Sequence, residues 1–149
     1  MTEQDFRDRY PHWTIVTLRF SDQDSTGHIN NVSFAAYVEA GRVAFGWEHT
    51  RPLLSDGQDL FVANVSIAYR RELRYPGSIE IGTGILKLGR SSMTLGHGVF
   101  RDGVLAADAE SVVVLVDRAS AKSQPIDGAL RAALGADRLA ARSGSPTPT

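Results

Sequence analysis

Two carboxylates, an imidazole and three carboxamides fall within ten residues of this chain, Asp22-Gln23-Asp24-Ser25-Thr26-Gly27-His28-Ile29-Asn30-Asn31. Packing so many polar groups against the start of an apolar segment is costly unless each finds a partner or does chemistry. Free amide donors at a helix start suit the stabilisation of developing negative charge on an oxygen. An aspartate just ahead of a helix is most often a cap or turn former, and Asp22 reads that way, as does Asn30. His28 fits two readings, orienting a site or hydrogen-bonding loop backbone. Ser25 and Ser33 lack the elbow motif of serine hydrolases. His12, His49 and His97 stand at no ligand spacing, so no metal is expected.

The elements that must hold this loop show in the periodicity. Trp13 to Phe20 alternates as a strand, with Val16, Leu18 and Phe20 on one face. Val32 to Trp47 repeats Phe34, Tyr37, Val38, Gly41 and Phe45 at helical spacing, and Ala36, Ala40, Ala44 and Trp47 widen that surface. Only Glu39, Arg42 and Glu48 remain clearly polar, which predicts a helix inside the fold. Asn30, Asn31 or Ser33 is placed to cap it, and Pro52 lies beyond its end. Strands follow at Phe61–Arg70, Ser78–Leu88, Ser91–Phe100 and Val104–Asp117, with turns at Pro76-Gly77, Gly89-Arg90 and Asp102-Gly103. The solid run Val112–Val116 predicts a central strand. Ile126 to about Ala141 reads as a short surface helix.

Four consecutive strands joined by short turns predict an antiparallel sheet, which the first strand must rejoin. The expected architecture is α+β: a five-stranded antiparallel sheet curled around one central helix, with a short C-terminal helix. Residues 1–12 form an N-terminal arm, 13–142 a single domain and 143–149 a flexible tail of linker composition. One small sheet cannot hide such a helix, and edge strands this apolar need pairing, which predicts a homodimer or homotetramer.

Composition narrows the partners. At 149 residues with a formal net charge of -1, the chain fits one domain and carries no footprint for nucleic acid or an anionic membrane. It has no cysteine, which removes disulfides, thiolate metal sites and cysteine nucleophiles. The charged N-terminus lacks the apolar core of a secretory leader, and a cytoplasmic location is expected.

The signature Asp22-x-Asp24-x-x-Gly27-His28-x-Asn30-Asn31, followed by Tyr37, Glu39 and Arg42, resembles the hotdog-fold thioesterases of the 4-hydroxybenzoyl-CoA thioesterase group. Ile67-x-Tyr69-Arg70, Pro76-Gly77, Gly89-Arg90-Ser91-Ser92 and Val116-Asp117 extend the resemblance over roughly residues 13–135. It implies the hotdog fold and hydrolysis of an acyl- or aryl-CoA thioester, with coenzyme A present only as part of substrate and product and no cofactor. It places the catalytic carboxylate, nucleophile or general base, on Asp24. The carbonyl-polarising donor falls on the backbone N–H of Asn31, and Gly27 lets the loop approach the substrate closely.

Local resemblance to acyl-ACP thioesterases adds His28 and Glu72 as candidates and makes acyl carrier protein the alternative partner. There Thr26 replaces the family's asparagine. Glu39 is a candidate partner of Arg42 on the helix. Arg70, Arg71 and Arg90, with Ser91 and Ser92, suit coenzyme A phosphates, although scattered surface charge explains the arginines equally well. A non-catalytic acyl-CoA-binding hotdog protein is the competing class.

Overall fold

A computed structural model describes residues 2–140. The order is α1 (Glu3–Arg7), β1 (His12–Thr17), α2 (Asn31–Phe45), β2 (Gln58–Tyr69), β3 (Ser78–Leu88), β4 (Ser92–Arg101), β5 (Val104–Asp117) and α3 (Gly128–Ala136). The five strands make one antiparallel sheet in the order β1-β3-β4-β5-β2, with α2 packed across one face. This is the expected hotdog architecture with its short C-terminal helix. The expected tail, 143–149, lies outside the described residues. Among the described residues no helix is long and apolar enough to cross a membrane.

Three local expectations are corrected. β2 and β3 are not neighbours: β2 pairs with β5, and residues 70–77 carry the chain past the end of the sheet to β3. That eight-residue connection is too long for a tight hairpin, and the long β5 offers β2 a better partner. The first strand stops at Thr17, because a 3-10 turn at Phe20–Asp22 breaks the alternation and leaves Phe20 exposed. The central helix is buried on one side only: Phe34, Tyr37, Val38, Gly41 and Phe45 face the sheet, while Val32, Val43 and, just past its end, Trp47 stay exposed. A single sheet covers one face of a helix, so the outer stripe has no cover among the described residues.

The start of α2 is set by Asn30, whose side-chain oxygen accepts from the Val32 N–H at 3.1 Å. Its apolar face divides the core in two. One cluster holds Leu18, Ile29, Phe34, Tyr37, Val38, Ile79, Ile81 and Val99; the other holds Phe45, Ile85, Met93, Leu95, Val113, Leu115, Ile126, Leu130 and Leu134. A polar seam lies on the same side of the sheet. Arg42 Nη1 donates to Ser111 Oγ at 3.2 Å, His97 Nε2 lies 3.0 Å from that oxygen, and His97 Nδ1 lies 3.1 Å from Thr83 Oγ1. These partners satisfy a fully buried imidazole.

The opposite face of the sheet is covered by the N-terminal segment. Gly82 and Gly84 of β3 stand opposite Gly98 and Gly96 of β4. A Cβ at Gly82 would come within 2.6 Å of the Tyr10 ring, and one at Gly84 within 2.7 Å of Pro11. The four glycines thus form a trough that seats Tyr10, Pro11 and Leu139, and Tyr10 packs with Trp13 and Phe100. The residues read as an arm are a helix and turn docked on the sheet.

His97 sets a pH dependence. Burial, with a smaller contribution from the Arg42 charge, lowers its pKa from 6.5 to about 3. The unfolded chain therefore binds a proton that the folded chain refuses between those values. Stability attributable to His97 is lost as pH falls through that window. Urea titrations of the wild type and of His97→Gln across it are expected to show a flatter pH slope for the variant; equal slopes would contradict the assignment.

Candidate active site

The polar loop is built around Asp22, which is 2% exposed. Its carboxylate accepts from the Arg19 backbone N–H at 3.0 Å, from Arg19 Nε at 3.0 Å and from the Tyr37 hydroxyl at 2.8 Å. Its carbonyl accepts from the Asn30 N–H at 2.8 Å and the Ser33 hydroxyl at 3.0 Å. Burial alone would raise the carboxyl pKa, but these hydrogen bonds outweigh it and hold the group below its usual range. The same burial and the Asp22 carboxylate push the Tyr37 phenol up. Asp22 is thus the structural anchor that its place in the loop suggested, with Tyr37 as a partner that sequence reasoning missed.

Asp24 is exposed and differently bonded. Its Oδ1 accepts from the Thr26 N–H at 2.9 Å, the Thr26 hydroxyl at 2.6 Å and the His28 N–H at 3.2 Å. The Thr26 hydroxyl is the largest cause of a lowered carboxyl pKa, followed by the Thr26 and His28 amides. Oδ2 makes no hydrogen bond among the described residues, so one oxygen is locked and the other is available. Gly27 turns the loop at φ +81°, and a Cβ there would meet nothing within 4 Å. Glycine suits this position because it adopts the left-handed backbone conformation without strain.

The His28 ring reaches side chains, not loop backbone. Nε2 lies 2.8 Å from Arg74 Nη2, and Nδ1 lies 3.4 Å from Glu72 Oε1. A guanidinium only donates, so Nε2 accepts and the imidazole proton sits on Nδ1, toward Glu72. Arg74 Nη2 is also 3.6 Å from Glu72 Oε2, which closes the triad.

Asp24, His28, Asn31, Arg70, Arg71 and Glu72 line one groove of about 410 Å³, joined by Ile29, Phe34 and Tyr69. Asn31 opens α2, so its N–H has no acceptor within the helix, and the Val32 amide beside it is already taken by the Asn30 side chain. Tyr69 donates to the Asn31 carbonyl at 3.1 Å and meets Phe34 edge-on, forming an aromatic wall that sequence reasoning missed. The alternation of β2 could have pointed to Tyr69 as the last side chain of that strand.

Other candidates fall elsewhere. Glu39 is exposed and pairs loosely with Arg42 at 3.8 Å, away from the groove. Arg90, Ser91 and Ser92 sit at the β3–β4 turn, beside the far end of β5. Within the groove, Arg70 is tied to Asp108 at 2.7 Å and Arg71 to Glu3 at 3.1 Å. The fold also joins two histidines that chain spacing left without ligating partners: one donor atom from each of His12, Glu48 and His49 lies within 4.8 Å of the others.

Comparison with known proteins identifies the family. No curated protein matches the chain. Among solved structures, the PA5185 protein from Pseudomonas aeruginosa strain PAO1 superposes with a TM-score of 0.81 at 28% identity, covering 91% of this chain and 96% of that one. A predicted thioesterase from Bacillus stearothermophilus gives a TM-score of 0.77 at 27% identity, over 85% and 96% of the two chains. A thioesterase from Thermus thermophilus, complexed with coenzyme A and Zn, gives 0.74 at 29% identity, over 84% and 98%. The family model of the thioesterase-like superfamily matches residues 18–134. With that match spanning most of its length, the chain belongs to the thioesterase-like superfamily and is a hotdog-fold thioester hydrolase.

Proposed function

We propose that the protein hydrolyses an acyl- or aryl-CoA thioester to the free acid and coenzyme A in the Asp24–Asn31 groove. One observation carries this reading: Asp24 has one oxygen held by three donors and the other free, in the same groove as the first amide of α2. The thioester carbonyl oxygen takes the Asn31 N–H, where the helix-start dipole favours the negative charge that develops on addition. Asp24 Oδ2 accepts a proton from water, whose oxygen bonds the carbonyl carbon. Collapse then breaks the C–S bond, and the departing thiolate takes up the proton. In the alternative sequence, Oδ2 itself adds to the carbon and water hydrolyses the resulting anhydride.

The coenzyme A complex of the similar Thermus thermophilus thioesterase supports this carrier. Arg70 and Arg71 at the groove suit its phosphates. Arg90, Ser91 and Ser92 join the same site in a dimer. β2 is an edge strand with Phe61, Val62, Val65 and Tyr69 exposed. Two-fold antiparallel pairing of these edges sets the start of one β2 beside the end of the other. The β3–β4 turn, near the start of β2, then approaches the partner's groove. A homodimer, or a tetramer built from it, completes the site in this reading.

An acyl-ACP hydrolase is the second reading, favoured by the contact between His28 and Glu72. Initial rates with the same acyl group on each carrier are expected to favour coenzyme A by at least tenfold; a reversed preference would transfer the assignment to acyl carrier protein.

Asp24→Asn is expected to lower kcat by about 10²-fold or more while leaving the fold and coenzyme A binding intact, as measured by steady-state assay and calorimetry. Full activity would refute the mechanism, and coenzyme A binding without turnover in the wild type would favour the non-catalytic class. Thr26→Val removes the leading cause of the lowered Asp24 pKa. The acid limb of its kcat/KM profile is therefore expected to move to higher pH, and an unmoved limb would show that Asp24 is not the group titrating.

A further inference from the structure

We propose that His12, Glu48 and His49 form a Zn²⁺ site, with Asp137 orienting His49 and water completing the coordination. The site stands apart from the groove: His12 begins β1, and Glu48 and His49 lie beyond the far end of α2, whose 15 residues span ~22 Å.

The donor set converges from segments distant in sequence. His12 Nε2 lies 2.7 Å from Glu48 Oε2, a hydrogen bond that would open when a metal ion takes the place of the shared proton, and His49 Nε2 lies 3.8 Å from the same oxygen. On its other side, His49 Nδ1 lies 3.0 Å from Asp137 Oδ2. With the Nδ1 proton given to Asp137, Nε2 presents a lone pair toward a carboxylate oxygen that also presents lone pairs. At 3.8 Å no hydrogen bond joins them, so the His49 nitrogen lacks a donor, and a cation beside that oxygen would take its lone pair. A carboxylate on the outer nitrogen of a histidine is the partner that metal-ligating histidines use to fix tautomer and ring angle.

The supports are rigid. His49 stacks on Phe45 at 4.8 Å, and His12 meets the same ring edge-on. The Asp137 carbonyl accepts from the Ile85 N–H at 2.8 Å, which ties the orienting residue to β3. The His12 and His49 ring centroids are 5.3 Å apart. Two imidazoles pointing at one tetrahedral Zn²⁺ with bonds of about 2.0 Å would place their centroids ~5.2 Å apart. Glu48 is the exposed member of the set, so water can reach the remaining position. Two imidazoles and a carboxylate match Zn²⁺ in softness and number. The ion would clasp β1, the end of α2 and the segment after α3.

The test is calorimetric titration of chelator-treated full-length protein with ZnCl₂, with the visible spectrum after Co²⁺ addition as a second readout. One Zn²⁺ per chain, a tetrahedral Co²⁺ band and a raised Tm are expected. Glu48→Gln and His49→Ala, checked for folding by circular dichroism, are expected to weaken binding by at least 100-fold. Asp137→Asn is expected to weaken it by about 10- to 100-fold. Absence of saturable Zn²⁺ binding by folded wild type would overturn the site. Unchanged affinity in folded Glu48→Gln and His49→Ala would also overturn it, by locating the metal elsewhere.

Discussion

The buried carboxylate of Asp22 is the constraint on which the candidate-site loop depends. It binds backward to Arg19 and forward to Tyr37, one and a half turns into α2, while its own carbonyl holds Asn30 and Ser33. Strand exit, loop and helix start are thereby locked into one unit. An isolated buried carboxylate would be strongly unfavourable; three donors make this one stable as an anion. Removing either side-chain partner would leave charge buried with fewer donors, so the loop has little freedom to drift from the helix end. The exposed Asp24 inherits a fixed position from its buried neighbour.

The chemistry proposed for that position requires that α2 begin where it does and lie close to the sheet. Gly41 allows the approach: a Cβ there would sit 2.5 Å from the Ile81 side chain. Arg42, one residue on, reaches the Ser111–His97–Thr83 seam beneath the helix. The helix is therefore held against sliding by a close contact and by polar bonds that only one register satisfies. Apolar packing tolerates small shifts, whereas buried hydrogen-bonded groups lose their partners when displaced. The N–H of Asn31 keeps its place relative to Asp24 because both ends of the helix are pinned.

Legibility in the sequence followed how local each feature is. The limits of β3 and β5 were readable because glycine turns bracket clear alternation, and Asn30 could be placed among the caps of α2 by type and position. Asp24, His28 and Asn31 were readable as a group because eight consecutive residues contain them. Glu72, Arg74 and Tyr69 meet that group only because β2 pairs with β5 and the chain then crosses the sheet end, a long-range event that periodicity does not encode. The same holds for His12 and Glu48, which stand 36 residues apart. The paired Gly-x-Gly segments at 82–84 and 96–98 were a visible signal that gains meaning only when register sets them opposite one another. The helix stripe carrying Val32 and Val43 shows the reverse case: composition announced burial that the described residues do not provide.

That unprovided burial bears on the chemistry of Asp24. In the single chain its carboxylate is exposed and held below its ordinary pKa, a state that favours the anion but weakens it as a base. Substrate seated over the groove would remove water from the free Oδ2 while leaving the three bonds to Oδ1 in place. Desolvation raises the pKa of a carboxylate, and the Thr26 and His28 donors oppose that rise. The group then stays ionised yet sheds the hydration that blunts its reactivity. A carboxylate already saturated on one oxygen can be stripped of water on the other at lower cost than a free one. The hydrogen bonds that quiet Asp24 in the open groove are the ones that let it remain charged when the groove closes.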